Sequence, residues 1–333
     1  MKAKEIVGLD CGASAAEGIR LVLRSRLEEM CAFRAAALDW SDMEGVHDMR
    51  VASRRLRSLV RDFSPYFRHR KLRRTKSVLK SIADALGAVR DQDVTLKALE
   101  KLAAEAPAEV AAGIERFANE RRLKQERARS CLEEALTEAA LDKLQKEFNG
   151  ALEDGLRVSR NRKNDRDEQP SAESMSFRQA GRERLLAGLQ ELQDLSASLY
   201  RPLKTKPLHQ MRLASKRLRY ALELFAPCWG EPLAPFAKEI AKLQTTLGEL
   251  HDCDVWIGDI GKALQSGGEP ESEQERNAAL WLLDYFVGER TDRFRSALAR
   301  WHEWETNHFQ LRLADTINDQ LPPVAAADLD SGG

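Results

Sequence analysis

The chain has 333 residues, enough for one large domain or two smaller ones around a sizeable buried core. Its 53 Lys and Arg balance 53 Asp and Glu, which excludes a simple polycation that coats nucleic acid or an anionic membrane. Aromatics are only 6%, and Ala, Leu, Glu and Arg dominate, a mix that favours helices over sheets.

Taken in order, the opening MKAKEIVGLDCGASAAEG lacks the apolar centre of a signal peptide, and no later run of about eighteen apolar residues could span a bilayer. A soluble, cytoplasmic protein is expected. Leu21, Leu27 and Phe33 fall on a first helix that also carries Arg20 and Arg24. Residues 46–63 form a second helix, closed by Ser64-Pro65 because proline disfavours helix in the residue before it. A third is expected from 69 to 86, a fourth from 94 to 102, and 108–149 reads as largely helical. Residues 159–174, SRNRKNDRDEQPSAES, are polar and read as a linker. The second half then repeats the plan. No alternating strand pattern interrupts it.

That repetition is visible residue by residue. HDMRVASRRLRS at 47–58 recurs as HQMRLASKRLRY at 209–220, with eight of twelve positions identical. IRLVLRSRL (19–27) matches FRQAGRERL (177–185), keeping Arg20/Arg178 and Arg24/Arg182, and LGAVRDQDV (86–94) matches LGELHDCDV (247–255). The offsets are 158, 162 and 161 residues, and spacing so nearly constant argues for a duplication. The expected fold is all-α, two tandem four-helix bundles covering 12–158 and 175–312, with a flexible tail over 313–333.

The repeated helix is two-faced at about 100° per residue. Met49, Ala52, Leu56, Leu59, Val60 and Phe63 share one arc, and His47, Arg50, Arg54, Arg57 and Arg61 share the next. The second copy places Met211, Ala214, Leu218, Leu222 and Phe225 on the apolar side, with His209, Arg212, Lys216 and Arg219 on the basic one. Glu223 stands where Arg61 would recur. Like charges at such spacing destabilise an isolated helix by a few tenths of a kcal/mol per pair. Residues 50–80 hold twelve Lys or Arg and one acid, Asp62. One basic stripe alone reads as solvated surface; two copies, histidine included, point to an anionic partner. Arginine's planar fork suits phosphate oxygens, and several in a row suit a phosphate chain. Lys76, Lys80 and Arg90 share a face of the third helix with Gly87 and extend this set. The histidines either donate to the anion or are buried and hydrogen-bonded across the bundle; both readings stand.

The other candidate chemistry is weaker. Asp91, Asp93, Asp252 and Asp254 offer metal-ligand spacing, and His251-Asp252 resembles a metallophosphohydrolase pair. Arg90 occupies the matching position in the first copy, and an arginine does not ligate a metal. Helix capping, or carboxylates that aim nearby arginines, is the simpler role. Ser53 and Ser215 lie far around the helix from the histidines and read as small packing residues. Five scattered cysteines without a CxxC pair argue for reduced thiols, with no disulfide framework and no structural zinc site.

HDMRVASRRLR, HQMRLASKRLRY and the two LGxx[RH]DxDV strings resemble the CHAD family, the conserved histidine α-helical domain, over residues 12–312. The resemblance implies two four-helix bundles about a pseudo-twofold, basic helices facing a central cavity, binding of inorganic polyphosphate, and association with polyphosphate granules. Without the ExExK signature of the triphosphate-tunnel domain that often precedes such modules, a stand-alone member is expected. Carried over by position, the binding residues are His47, Arg50, Arg54, Arg57, His209, Arg212, Lys216 and Arg219, followed by Arg20, Arg24, Arg178, Arg182, Lys80 and Arg90. The function expected is non-catalytic, with no cofactor, no metal and no membrane partner. A metal-dependent phosphohydrolase is the alternative from another class. RNA binding is a third reading, disfavoured because neither stripe carries aromatic stacking platforms.

Overall fold

Small oxygen-bearing side chains set several of the helix starts. The computed structural model describes residues 4–67, 69–155, 175–265 and 273–319. Helix α1 (Ala15–Ala32) begins where Ser14 Oγ accepts from the Glu17 amide, and α3 (Met43–Asp62) where Asp42 accepts from the Glu44 amide at 2.9 Å. A full capping box between Ser176 and Gln179 starts α7 (Phe177–Asp194). The remaining helices are α2 (Arg34–Ala37), α4 (His69–Glu105), α5 (Ala108–Ala135), α6 (Glu138–Gly155), α8 (Thr205–Trp229), α9 (Ala234–Gln265), α10 (Glu273–Thr306) and α11 (Phe309–Asn318). Among the described residues there is no strand, only an isolated antiparallel bridge between Ser14 and Ser176.

Four details depart from the sequence reading. The expected third and fourth helices are one, α4, in which Leu79, Ile82, Leu86, Val89, Leu96, Leu99 and Leu102 keep an unbroken buried stripe. Asp93, between the two expected helices, takes an inward position of that stripe and is only 3% exposed. The 108–149 segment divides into α5 and α6 at Leu136–Thr137. The boundary drawn at 312/313 falls inside α11, whose Phe309, Leu313 and Ile317 are all buried. Lastly, Cys11 and Cys228 form a disulfide, against the expectation of reduced thiols throughout. The two cysteines are 217 residues apart, so only the fold brings them together. The linker at 159–174 and residues 320–333 of the tail lie outside the described residues.

Packing runs α1 on α3, α3 on α4 and α4 on α6 in the first half, and α7 on α8, α8 on α9 and α9 on α10 in the second. The halves meet at two places. Near the middle, α1 lies on α7 and α3 on α8, around Phe63, Phe177 and Phe225, whose ring centroids are 5.0 to 6.4 Å apart. Truncating one of these buried rings to alanine costs about 3–5 kcal/mol. At the far end α5 lies on α10, and Leu99, Ile114, Cys253, Leu282 and Phe286 form a second, smaller core. The long hairpins α4–α5 and α9–α10 are thereby held at both ends, and with them the faces that α4 and α9 turn toward α3 and α8.

Candidate functional site

The apolar arcs of α3 and α8 decide where their cations go. Met49, Ala52, Leu56, Leu59 and Val60 are buried, as are Met211, Ala214, Leu218, Leu222 and Phe225. Ser53 and Ser215 are fully buried beside them, packing residues as expected, and Ser215 Oγ donates to the Met211 carbonyl at 2.9 Å. With that side committed to the core, the adjacent basic arcs are left along the α3–α8 contact.

There the two stripes meet. Arg50, Arg54 and Arg57 of α3 act electrostatically on Lys216 of α8, and Arg212 of α8 acts on Arg50. Two members are already matched: Arg50 pairs with Asp91 at 3.1 Å, and Arg219 with Glu223 at 2.7 Å while its Nε donates to Gln244 at 2.7 Å. Arg54, Arg57, Arg90, Arg212 and Lys216 make no ion pair or side-chain hydrogen bond among the described residues. Arg54 Nε is fully buried and unpartnered. Burial, and then the neighbouring guanidiniums, pull the Lys216 ammonium down to about 7. Arginine does not deprotonate in proteins, so lysine is the one member able to relieve the repulsion.

The paired DxD strings serve these helices. Asp91 holds Arg50, and Asp252 is the leading carboxylate acting on Arg212. The second aspartate of each string braces the next helix: Asp93 accepts from Gln125 Nε2 at 2.7 Å, and Asp254 pairs with Arg290 at 2.6 Å. Both strings lie inside long helices, so they do not cap them; Asp91 and Asp254 hold arginines, whereas Asp93 holds Gln125. Among the described residues no three His, Cys, Asp or Glu side chains gather as a metal-ligand set. A Cβ added at Gly87 would meet nothing within 4 Å, and one at Gly248, the matching position, would come to 3.5 Å from Arg212 Nε. Neither position therefore requires glycine for lack of space.

The histidines occupy matching places. His47 lies near Arg90; His209 lies against His251, the residue that replaces Arg90, with their Nδ1 atoms 3.2 Å apart. All three are half-buried, and burial followed by nearby positive charge lowers each below the ordinary imidazole value.

The remaining expected residues are distributed differently. Arg20 is half-buried with an unpartnered Nε. Arg24 pairs with Glu153 of α6 at 2.9 Å; Arg178 lies over the Trp229 ring and donates to the Asp319 carbonyl; Arg182 donates to Asn318. The partners of these three lie on α6, the end of α8 and the end of α11, not on the stripes. Lys80 is solvent-exposed, 3.9 Å from Asp84. Sequence reasoning missed Arg55, which is 6% exposed, 3.8 Å from Glu223 and near the Tyr220 ring. Its only signal was its place outside the basic arc of a helix whose other arginines lie within it.

With this geometry in hand, comparison with known proteins decides the family. The CHAD domain model matches residues 21–260. The chain belongs to the CHAD family. No curated protein sequence matches it significantly. Among solved structures, the CHAD domain from the plant Ricinus communis superposes with a TM-score of 0.68 at 21% identity, covering 91% of this chain and 96% of that one. PptA from Streptomyces chartreusis superposes with a TM-score of 0.64 at 17% identity, covering 87% of this chain and all of that one. At such identities the likeness establishes the CHAD fold alone.

Proposed function

We propose that this CHAD protein is a non-catalytic binder of inorganic polyphosphate, held in a basic cavity between two duplicated helical units. The observation that carries the reading is the set Arg54, Arg57, Arg90, Arg212 and Lys216, cations from three helices that make no ion pair or side-chain hydrogen bond among the described residues. Like charges are brought together at a cost that a threaded chain of phosphates offsets. Arg50 and Arg219, already paired, contribute at the margins, and His47 and His209 donate once protonated. Association with polyphosphate granules in the cytoplasm follows as the cellular role.

Direct titration with purified long-chain polyphosphate tests this. If the five unpaired cations each meet a phosphate, the single-strand polyelectrolyte rule, applied by analogy, gives a loss of about two decades of affinity between 50 and 200 mM salt. A flat salt response overturns the reading. Phosphate release with divalent cations supplied would instead favour a hydrolase, and equal competition by single-stranded RNA would make the site a general polyanion groove.

A further inference from the structure

Lys216 differs from every other member of the unpaired set in one chemical respect: it can lose its charge. It lies on α8, which packs on α3, and makes no ion pair or side-chain hydrogen bond among the described residues; the charges that act on it are Arg54, Arg50 and Arg57 of α3 and Arg212 one turn before it on its own helix. The acids of the neighbouring helices are directed elsewhere. Asp91 of α4 holds Arg50, Asp252 of α9 faces Arg212, and Glu191 of α7 is taken by Arg217. Arg90 of α4 and His251 of α9 add positive or neutral groups, and His209 on α8 is itself affected by Lys216. Guanidiniums on both sides and no matched carboxylate favour the neutral amine when the groove holds no anion.

Resting on the polyphosphate reading, we propose that seating the anion between α3 and α8 draws one proton from solvent onto Lys216 Nζ, making ligand binding and proton uptake one linked event. The N–H bond forms at the amine, and the proton is supplied by the buffer acid, which leaves as its conjugate base. Phosphate oxygens reverse the local potential and return the ammonium toward its ordinary range. The sign follows directly. Without ligand Lys216 is charged below about 7 and neutral above it; with ligand it stays charged well above that. Uptake from this residue is therefore near zero at about pH 6, approaches one proton at about pH 8, and there weakens affinity by up to tenfold per unit of rising pH.

The experiment is calorimetric titration of the full chain with long-chain polyphosphate at about pH 8, in two buffers of different ionisation enthalpy. Wild type is expected to take up close to one proton per binding event. Lys216→Arg, which keeps a fixed charge, should bind within a fewfold of wild type with uptake near zero; Lys216→Met should bind about tenfold more weakly, also without uptake. His47→Gln and His209→Gln should retain the wild-type uptake at this pH. Binding by wild type without proton uptake, or undiminished uptake in both Lys216 variants, overturns this inference alone. Absence of binding in every buffer overturns the polyphosphate reading and this inference together.

Discussion

Helices α3 and α8 carry the same twelve-residue string, yet they solve the problem of crowded charge differently. On α3 the stripe is His47, Arg50, Arg54, Arg57 and Arg61, backed by Arg90 of α4. On α8, Lys216 replaces the arginine at position 54, Glu223 replaces that at 61, and His251 of α9 replaces Arg90. Each replacement lowers positive charge on the second side by a different route. Burial and the facing guanidiniums lower the Lys216 ammonium to about 7, burial lowers the His251 imidazole, and Glu223 takes Arg219 at 2.7 Å and lies 3.8 Å from Arg55 of the opposite half. Two full arginine ridges facing each other would repel strongly in a partly desolvated setting. One arginine ridge facing a less basic one keeps that repulsion smaller.

The sharpest way to break this comparison is to reverse charge where the ridges meet. Arg54→Glu with Arg212→Glu is expected to cut polyphosphate affinity at least 100-fold at low salt, about 3 kcal/mol or more, as read by direct titration. Arg24→Ala and Lys80→Ala, whose partners are Glu153 and Asp84, should change it less than twofold. Equal losses from the two sets would mean that binding follows overall charge and not the facing stripes.

Much of this was legible because the relevant patterns are periodic. The two-faced helix and the all-helical class follow from the 3.6-residue period, and the helix's repetition from strings matched at nearly constant offsets. What was not legible depends on contacts between residues distant in sequence. The continuity of α4 through the gap between the two expected helices depends in part on Asp93, whose inward position is satisfied by Gln125, 32 residues on. Arg24 and Arg182 match across the repeat, as Arg20 and Arg178 do, yet Arg24 is held by α6, Arg182 by the end of α11 and Arg178 by Trp229 and Asp319, whose positions no local pattern states. Arg50 and Arg219 looked as free as Arg54 until Asp91, Gln244 and Glu223 were in place. The Cys11–Cys228 pair closes between the segment before α1 and the last turn of α8.

Glu223 is the next point at which the two sides can be made more alike. Glu223→Gln removes the acid paired with Arg219 and is expected to tighten polyphosphate binding about three- to fivefold at low salt. The same change removes the carboxylate that lies 3.8 Å from the buried Arg55 guanidinium, so the protein without ligand should lose roughly 1–2 kcal/mol of stability. Denaturant titration and binding calorimetry read the two effects separately. Tighter binding at undiminished stability would assign Glu223 to trimming the stripe alone, with no part in bracing Arg55.

The smallest effect concerns His251, the counterpart of Arg90. Burial lowers both His209 and His251, so the folded state favours their neutral forms more than the unfolded chain does. The unfolded chain then binds more protons as pH falls through about 6.5, and stability without ligand must decline from there downward. A melting temperature that falls by a few degrees between about pH 7 and 5.5, and is restored by polyphosphate, is the expected outcome. In His251→Arg the positive charge is permanent, so affinity at about pH 7 should rise about twofold and its dependence on acid should flatten. The melting temperature should also lose part of its pH dependence, because only His209 of the pair is left to titrate. An unaltered pH profile in that variant would confine the His209–His251 contact to packing, and leave Lys216 as the only adjustable charge on the second ridge.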